Sequence, residues 1–216
     1  MTGWHALVPI KQGAAGKSRL AGVLDYAERL VLVRAMAARV LGALARCDAI
    51  SSITILSPER ADWWHGAWLP DHHRGLNPEL SAWRAGLQGA PALVVHADVP
   101  LVSADDLSAL LQLADRHGAA MATDRAGQGT NALAINRSEP FNYCFGPNSR
   151  AQHVAQHPAM PVLRRLGLIA DLDTPDDLEF VQTRGFGVRQ ACHWEGPMPR
   201  ADRHNHQDIT GGECVR

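Results

Sequence analysis

The sequence predicts an α/β fold with a mainly parallel sheet and helices on both of its faces. Short apolar runs rich in β-forming residues alternate with segments that carry helix-capping signals. This alternation favours parallel strands, because each intervening helix returns the chain to begin the next strand in the same direction. At 216 residues the chain can bury one sizeable core, and we expect one folded domain over residues 1–185.

Six segments are predicted to be strands. In chain order they read HALVPI, SSITIL, PALVVHA, AAMAT, NALAIN and LGLIADLD. Each is a short apolar run of the length that strands have, rather than the longer periodic pattern of a helix. The turn-rich segment DRAGQG separates the fourth run from the fifth.

Helices are predicted where a capping signal precedes an apolar periodic segment. A capping box places Ser, Thr or Asp three residues before an acid, so that each side chain bonds the other's backbone N–H. Pairs with this spacing are Asp25 with Glu28, Ser103 with Asp106, and Thr174 with Asp177. We further expect a helix capped by Asn77 before Pro78, and another in PNSRAQHVAQH.

The remaining features limit the location and the partners of the protein. The composition of residues 186–216, rich in Gly, Pro, His and Arg, favours a flexible C-terminal tail. A net charge of -1 gives no reason to expect a nucleic-acid or membrane partner. We see no secretory signal, no membrane span and no CxxC pair, so we expect a cytoplasmic protein with free thiols. Trp63, Trp64 and Trp68 are interpreted as packing residues or as a homodimer contact.

Two acids, Asp171 and Asp173, stand one residue apart at the end of LIADLD. In extended backbone both would point one way and Leu172 the other. Two like charges in one patch favour a bound divalent cation or open water, and this segment alone leaves both interpretations open. Asp98 follows another predicted strand, and three converging carboxylates would suit one or two Mg²⁺ ions that hold a triphosphate.

Other polar residues also follow predicted strands, where ligands bind in α/β sheets. The loop that contains Lys11, Lys17 and Arg19 is rich in glycine and other small residues and is basic, which favours a phosphate site. It is not a Walker A loop, because Lys11 stands where that motif needs glycine. Gly127, Gly129 and Thr130 could bind an anion or form a hairpin-like turn.

The predicted helix after Gly146 could offer a phosphate its free N–H groups, with Asn148 or Ser149 as its cap. Ordinary capping requires the same residues, so both readings stay open. Asn77 is explained by helix capping, although its amide could instead contact a base or a ribose.

Six motifs in order, VPIKQGAAGKSRL, GLNPEL, HADVPL, GTNAL, FGPNSRAQH and IADLDTPDDL, resemble the guanylyltransferases of coenzyme F420 biosynthesis. The resemblance covers about residues 5–183. It implies a Rossmann-like nucleotidyltransferase fold, similar to that of the molybdenum-cofactor nucleotidylyltransferases. It also implies transfer of GMP from GTP to a phosphorylated three-carbon acid, with release of pyrophosphate.

The resemblance also implies roles for individual residues. The catalytic group would comprise Lys17, Asp98, Asp171 and Asp173, whose three carboxylates would hold Mg²⁺ and the acceptor. Further residues would contact GTP through its phosphates (Lys11, Lys17, Arg19) or its guanosine (Gly75 to Asn77). The acceptor's phosphate or carboxylate would meet Thr130, Gly146 and Ser149.

The acceptor would be 3-phospho-D-glycerate, phosphoenolpyruvate or 2-phospho-L-lactate, with a marginal preference for the first. Its phosphate, with a second pKa near ~6, is a dianion at neutral pH and needs no general base. A downstream transferase would consume the product. The alternatives are a sister nucleotidyltransferase of the molybdenum-cofactor or sugar-phosphate type and a non-catalytic nucleotide-binding protein.

Overall fold

The computed structural model describes residues 3–11, 17–137 and 140–187. Seven strands lie in these residues: β1 (Trp4–Pro9), β2 (Ile50–Ser57), β3 (Ala67–Pro70), β4 (Ala92–Val95), β5 (Ala119–Ala122), β6 (Ala132–Ile135) and β7 (Val162–Leu163). The α-helices are α1 (Tyr26–Ala45), α2 (Leu76–Gly86), α3 (Ala104–His117), α4 (Ser149–Gln156), α5 (Leu166–Ile169) and α6 (Pro175–Gln182). None of the described helices combines the length and the apolarity needed to cross a bilayer.

The strands form one sheet in the order β3-β2-β1-β4-β6-β5-β7. β6 pairs antiparallel with both β4 and β5, whereas the other pairs are parallel. Six strands therefore run one way, and β6 alone runs against them. As a consequence, the residues that precede β6 reach the same edge of the sheet as the residues that follow β1 and β4.

Both faces of the sheet are buried under helices, as predicted. In β1, Ala6 and Val8 point to the face that α1 and α3 cover. Leu7 points to the opposite face, where Leu80 of α2 joins the core. Alternate residues of a strand face opposite sides, so a central strand covered on both sides must be apolar throughout. This requirement explains why the four residues of β4 are buried.

A third apolar cluster anchors the segment that carries Asp171 and Asp173. Leu172, Leu178 and Val181 pack there against Leu32 and Met36 of α1. Phe186 is also in this cluster and is 1% exposed, although we predicted that the tail would begin at this residue. Residues 188–216 of that predicted tail lie outside the described residues.

The three capping-box predictions are confirmed. All three predicted boxes form, at the N-termini of α1, α3 and α6. The prediction that Asn77 caps a helix is wrong, because α2 begins at Leu76 with Gly75 as its N-cap. The DRAGQG segment joins the antiparallel pair β5 and β6, which confirms the hairpin-like turn.

The strand predicted for LGLIADLD is wrong. Leu166–Ile169 forms one helical turn, and residues 170–173 after it belong to no strand. Both edges of β4 are already paired, with β1 and with β6. The segment can therefore meet only the end of β4, where the Leu172 N–H donates to the Asp98 carbonyl at 2.9 Å. Two short strands that the sequence did not predict, β3 and β7, are the outermost strands of the sheet.

Candidate active site

Lys17 joins two of the predicted acids at the edge of the sheet. Its Nζ lies 2.7 Å from Asp98 Oδ2 and 2.5 Å from Asp173 Oδ1. The Lys17 side chain is only 11% exposed, whereas that of Asp173 is 42% exposed. Lys17 itself has a left-handed backbone, with φ of 55°, directly before the 3-10 helix Ser18–Leu20. This conformation, which is uncommon outside glycine, turns the chain at the point where the ammonium group enters the site.

The structure brings the three predicted acids to the same end of β4. The backbone bond between Leu172 and Asp98 places Asp171 and Asp173 beside the end of β4. Leu172 is fully buried in the third cluster, as the alternation along the segment predicts. Asp171 accepts a 3.4 Å hydrogen bond from the Asn131 amide, which precedes β6. Three separate parts of the chain therefore fix the positions of these carboxylates.

The electrostatics of the acids are unequal. Burial by itself would raise the pKa of Asp98 and lower that of Lys17, but their attraction outweighs burial and keeps both charged. Among the described residues no cation lowers the pKa of Asp171, so burial and the charge of Asp98 raise its pKa to about 6. A carboxylate that is hard to ionise next to a second one is an arrangement that a bound cation relieves.

The residues present are compatible with Mg²⁺. Carboxylate oxygens are the ligands that this hard cation prefers, and Asp98 Oδ1 is buried without a hydrogen-bond partner among the described residues. Among the described residues, no three Asp, Glu, His or Cys side chains lie close enough together to hold a metal ion, and Lys17 lies between two of the acids. Metal binding by Asp98, Asp171 and Asp173 remains a prediction.

A cleft of about 730 Å³ opens at this edge. It is lined by six of the residues that were predicted for GTP, catalysis or metal: Lys11, Lys17, Arg19, Gly75, Asp98 and Asp173. The cleft also contains Asp71 and His73 at the end of β3, and His96 after β4. Its volume is within the range of small-molecule sites. A second cleft of about 630 Å³ shares Lys11 but includes none of the three acids.

The residues predicted for the acceptor lie around β6 and α4. The Thr130 hydroxyl is 3.0 Å from Nδ1 of His153, a fully buried residue of α4. Nε2 of the same ring accepts a 2.9 Å hydrogen bond from the Cys144 N–H. Burial lowers the pKa of His153 to about 4, so the ring is neutral at physiological pH. His153 was not predicted as a site residue, although its spacing of four residues from Ser149 places both on one face of α4.

The side-chain amide of Asn77 does not face the cleft. Its side chain pairs with the backbone of Phe145 in both directions, donating to the carbonyl at 3.0 Å and accepting from the N–H at 2.8 Å. The side chain of Asn77 therefore acts as a clamp on the loop before Gly146, and its contact with guanosine stays a prediction. Together with the bond from Cys144 to His153, this clamp fixes two consecutive residues of that loop.

The N-terminus of α4 is less open to an anion than predicted. The N–H of Ser149 donates to the Gly146 carbonyl at 3.1 Å, and the N–H of Arg150 donates to the Gln128 carbonyl at 3.1 Å. Asn148 is the N-cap, with φ of 55° and no capping hydrogen bond from its side chain. Gly146 has φ of 135°, which favours glycine at the turn into the helix.

A buried acid that the sequence analysis did not single out shapes the loop before Gly75. Glu79 is 1% exposed and accepts hydrogen bonds from Nε and Nη2 of Arg74, at 2.9 and 2.7 Å. It also accepts from the His72 N–H at 3.1 Å. The hydrogen bond from Arg74 is the main reason that the pKa of Glu79 is lowered to about 2. This permanent charge holds the loop 72–75 against α2, beside the cleft.

Three comparisons with known proteins agree with this architecture. Residues 4–189 match the family model described as guanylyl transferase CofC like. The chain is 37% identical over 186 residues to a phosphoenolpyruvate guanylyltransferase of Sphaerobacter thermophilus, covering 81% of this chain and 90% of that protein. It is 35% identical over 207 residues to one of Chloroflexus aggregans, covering 88% and 97%.

The fold also matches a solved structure, a putative nucleotide-diphospho-sugar transferase from Desulfovibrio desulfuricans G20. The TM-score is 0.67 at 15% identity, over 88% of this chain and 94% of that one. A likeness at such low identity concerns the fold alone. It confirms the nucleotidyltransferase fold that the motif resemblance implied.

Proposed function

The chain belongs to the CofC-like guanylyl transferase family, and from that premise we propose that it transfers GMP from GTP to phosphoenolpyruvate. Membership identifies it as a nucleotidyltransferase of the guanylyltransferase type. The acceptor is our proposal, and it is supported by the names of the relatives that share 30–37% of their aligned residues with this chain. It replaces the marginal preference for 3-phospho-D-glycerate. The alternative 2-phospho-L-lactate has the same charged groups.

The single observation that carries the proposal is the meeting of Lys17 with Asp98 and Asp173 at the mouth of a cleft. GTP and the acceptor are both polyanions, so the main obstacle to their reaction is mutual repulsion. Cations at the edge of the sheet reduce this repulsion, and the walls of the cleft align the two reactants. A protein that only bound GTP would have no need of three carboxylates at this position.

The reaction needs no general base. The acceptor's phosphate, with a second pKa near ~6, is already a dianion, and one of its oxygens attacks the α-phosphorus of GTP. The bond from that phosphorus to the bridging oxygen of the pyrophosphate breaks, and pyrophosphate leaves with the electron pair. Lys17, Lys11 and Arg19 line the cleft and supply positive charge for the leaving group.

We propose that Asp98, Asp171 and Asp173 hold Mg²⁺, which would neutralise charge on the triphosphate and the acceptor when bound. Hydrogen bonds within the described residues hold these acids in place. Asn131 bonds Asp171, and the Leu172 N–H bonds the Asp98 backbone, so that these acids are held before any ligand arrives. The Thr130 hydroxyl and the Gly146 loop would bind the acceptor.

The test is incubation of the purified chain with GTP, Mg²⁺ and each of the three acceptors in turn, with assays of pyrophosphate and product mass. We expect phosphoenolpyruvate to give the fastest release and a product that contains one GMP. ATP, CTP and UTP serve as controls and separate this proposal from a sister nucleotidyltransferase. No release with any acceptor, in the presence of a transferase that consumes an unstable product, would overturn it.

We further propose that the product enters the assembly of a coenzyme F420-type cofactor. The product would be an anhydride between a nucleotide and a phosphorylated acid, which is an activated donor. Its natural use is transfer of the phosphorylated acid to a hydroxyl group with release of GMP. Product made in the assay should therefore be consumed when such a transferase and its acceptor are added, and persistence of the product would contradict this step.

A further inference from the structure

His153 has a hydrogen-bonding arrangement that determines which of its ring nitrogens carries the proton. The Cys144 backbone N–H can only donate, so Nε2, 2.9 Å away, must accept and must be unprotonated. A neutral imidazole has one N–H, which must then be on Nδ1. Nδ1 is 3.0 Å from the Thr130 hydroxyl oxygen. The ring therefore donates to Thr130.

This assignment has a consequence for Thr130. The hydroxyl oxygen accepts from His153, so the Thr130 hydrogen cannot point back to that ring. Within residues 3–11, 17–137 and 140–187, the hydroxyl is bonded to His153 alone. The described residues thus leave this hydrogen unused. A side chain that is only 4% exposed and keeps an unused donor suits recognition of an anion.

We propose that His153 is a positioning residue that commits the Thr130 hydroxyl to donate its hydrogen to the acceptor's phosphate or carboxylate. The proposal rests on the proposed function and deepens it, because it names the residue that controls recognition of the acceptor. His153 itself would not touch the substrate. It acts through Thr130 and also holds the Cys144 N–H in the loop before Gly146.

The surroundings keep the ring neutral. His153 is 0% exposed and packs against the rings of Phe141 and Phe145, whose centroids lie 5.9 and 5.1 Å from its own. Burial is the cause of its lowered pKa, which is about 4. A protonated ring would have to donate from Nε2 as well, directly against the Cys144 N–H. The Nδ1 tautomer therefore persists across the physiological range.

Two substitutions separate the two hydrogen bonds of the ring. The amide of His153→Asn can occupy the Nδ1 position and donate to Thr130, whereas that of His153→Gln can occupy the Nε2 position and accept from Cys144. We expect His153→Gln to raise the KM for phosphoenolpyruvate about tenfold, which equals the loss of one hydrogen bond of about 1.4 kcal/mol. His153→Asn should raise it less, and neither should change the KM for GTP.

Thr130→Val completes the experiment as a double-mutant cycle. If His153 acts through Thr130, adding His153→Gln to Thr130→Val should not raise the acceptor KM further. Additive effects, or equal changes in the two KM values from both His153 variants, would show a purely structural role and overturn the inference. Urea unfolding of each variant shows whether it is folded, and the comparison is made among the folded ones.

A measurement that is independent of activity tests the tautomer itself. In ¹⁵N-labelled protein, the two ring nitrogens of His153 should give one protonated Nδ1 and one unprotonated Nε2 signal near neutral pH. The opposite tautomer, or an imidazolium, would overturn the inference. An inactive wild-type chain with the expected tautomer would instead reject the proposed function and leave the proton assignment standing.

Discussion

The two sides of the candidate site are stabilised by different kinds of interaction. On one side the positive charge of Lys17 balances the negative charges of Asp98 and Asp173, so their arrangement depends on the cation between them. On the other side His153 and Asn77 hold Thr130 and the loop before Gly146 through neutral, directional hydrogen bonds. The first side can rearrange when a charged ligand arrives, whereas the second is preorganised. We therefore expect ligands and metal to reshape the acidic side and mutations of the neutral side to alter affinity for the acceptor.

The largest effect is expected on the acidic side, from Asp171→Asn. The amide keeps the shape and the contact region with Asn131 but removes a charge, so turnover should fall by about 10³-fold or more. Steady-state pyrophosphate release at saturating GTP, acceptor and Mg²⁺ measures it. Asp176→Asn, at an exposed position of α6, is the matched control and should retain wild-type turnover. An active Asp171→Asn enzyme would remove this acid from the metal site.

Lys17→Met should lower kcat by about 10²–10³-fold, because it removes the buried cation at the leaving group. It also leaves the partly buried Asp98 without its partner, so the midpoint of urea unfolding should decrease. Added Mg²⁺ should restore more of the midpoint in this variant than in wild type, since the cation can take over the charge of Lys17. Wild-type kcat in Lys17→Met would contradict the assigned role.

On the neutral side, His153 should make the free energy of unfolding depend on pH. The pKa of His153 is about 4 in the folded chain and has an ordinary value of 6.5. Between these values the unfolded chain binds a proton that the folded chain does not, so the free energy of unfolding falls as pH decreases through this window. The loss is on the order of 3 kcal/mol and is absent above the ordinary value.

Urea unfolding at several pH values measures this loss, and His153→Asn is the comparison. The variant has no imidazole at this position, so the part of the pH dependence that is due to His153 should disappear. The same slope in both proteins would show that His153 is not buried as a neutral ring. Other groups, such as Glu79, contribute equally to both curves.

The smallest effect is expected for Asn77→Leu. The substitution keeps the size of the side chain but breaks its paired hydrogen bonds with Phe145, so the acceptor KM should rise about tenfold and kcat should change less. Asn136→Leu is the matched control, since Asn136 bonds Asp115 at the opposite end of β6. An equal rise in KM for both variants would mean that the clamp on Phe145 has no special importance.

The sequence predicted local features better than the long-range placement of side chains. The capping boxes are confirmed because they depend on residues three apart. Five of the six predicted strands are confirmed because apolar runs of that length fit a buried sheet. The LGLIADLD prediction failed since the availability of an edge on β4 depends on where β6 lies, which no local pattern specifies.

The candidate site shows the same division. The meeting of Asp98 and Asp173 at Lys17 follows from their places at the ends of two apolar runs, although the second run forms a helical turn and not the predicted strand. The bonds of His153 with Thr130, 23 residues away, and of Asn77 with Phe145, 68 residues away, were not. Such pairs depend on the packing of α2 and α4 against one face of the sheet. Helix capping by Asn77 agreed with the local sequence, but in the folded chain the Asn77 amide bonds the backbone of Phe145 instead.

The reversed strand β6 makes the length of the turn before it a matter of substrate recognition. Thr130 and Asn131 are consecutive, and the first bonds His153 while the second bonds Asp171. Pairing of β6 with β5 fixes their register, with Ala122 opposite Ala132. A slip of β6 by one residue against β5, which a change in the length of DRAGQG can cause, would exchange the two side chains between the neutral and the acidic sides. Surface hairpins usually tolerate such changes in length during evolution, but this hairpin should not.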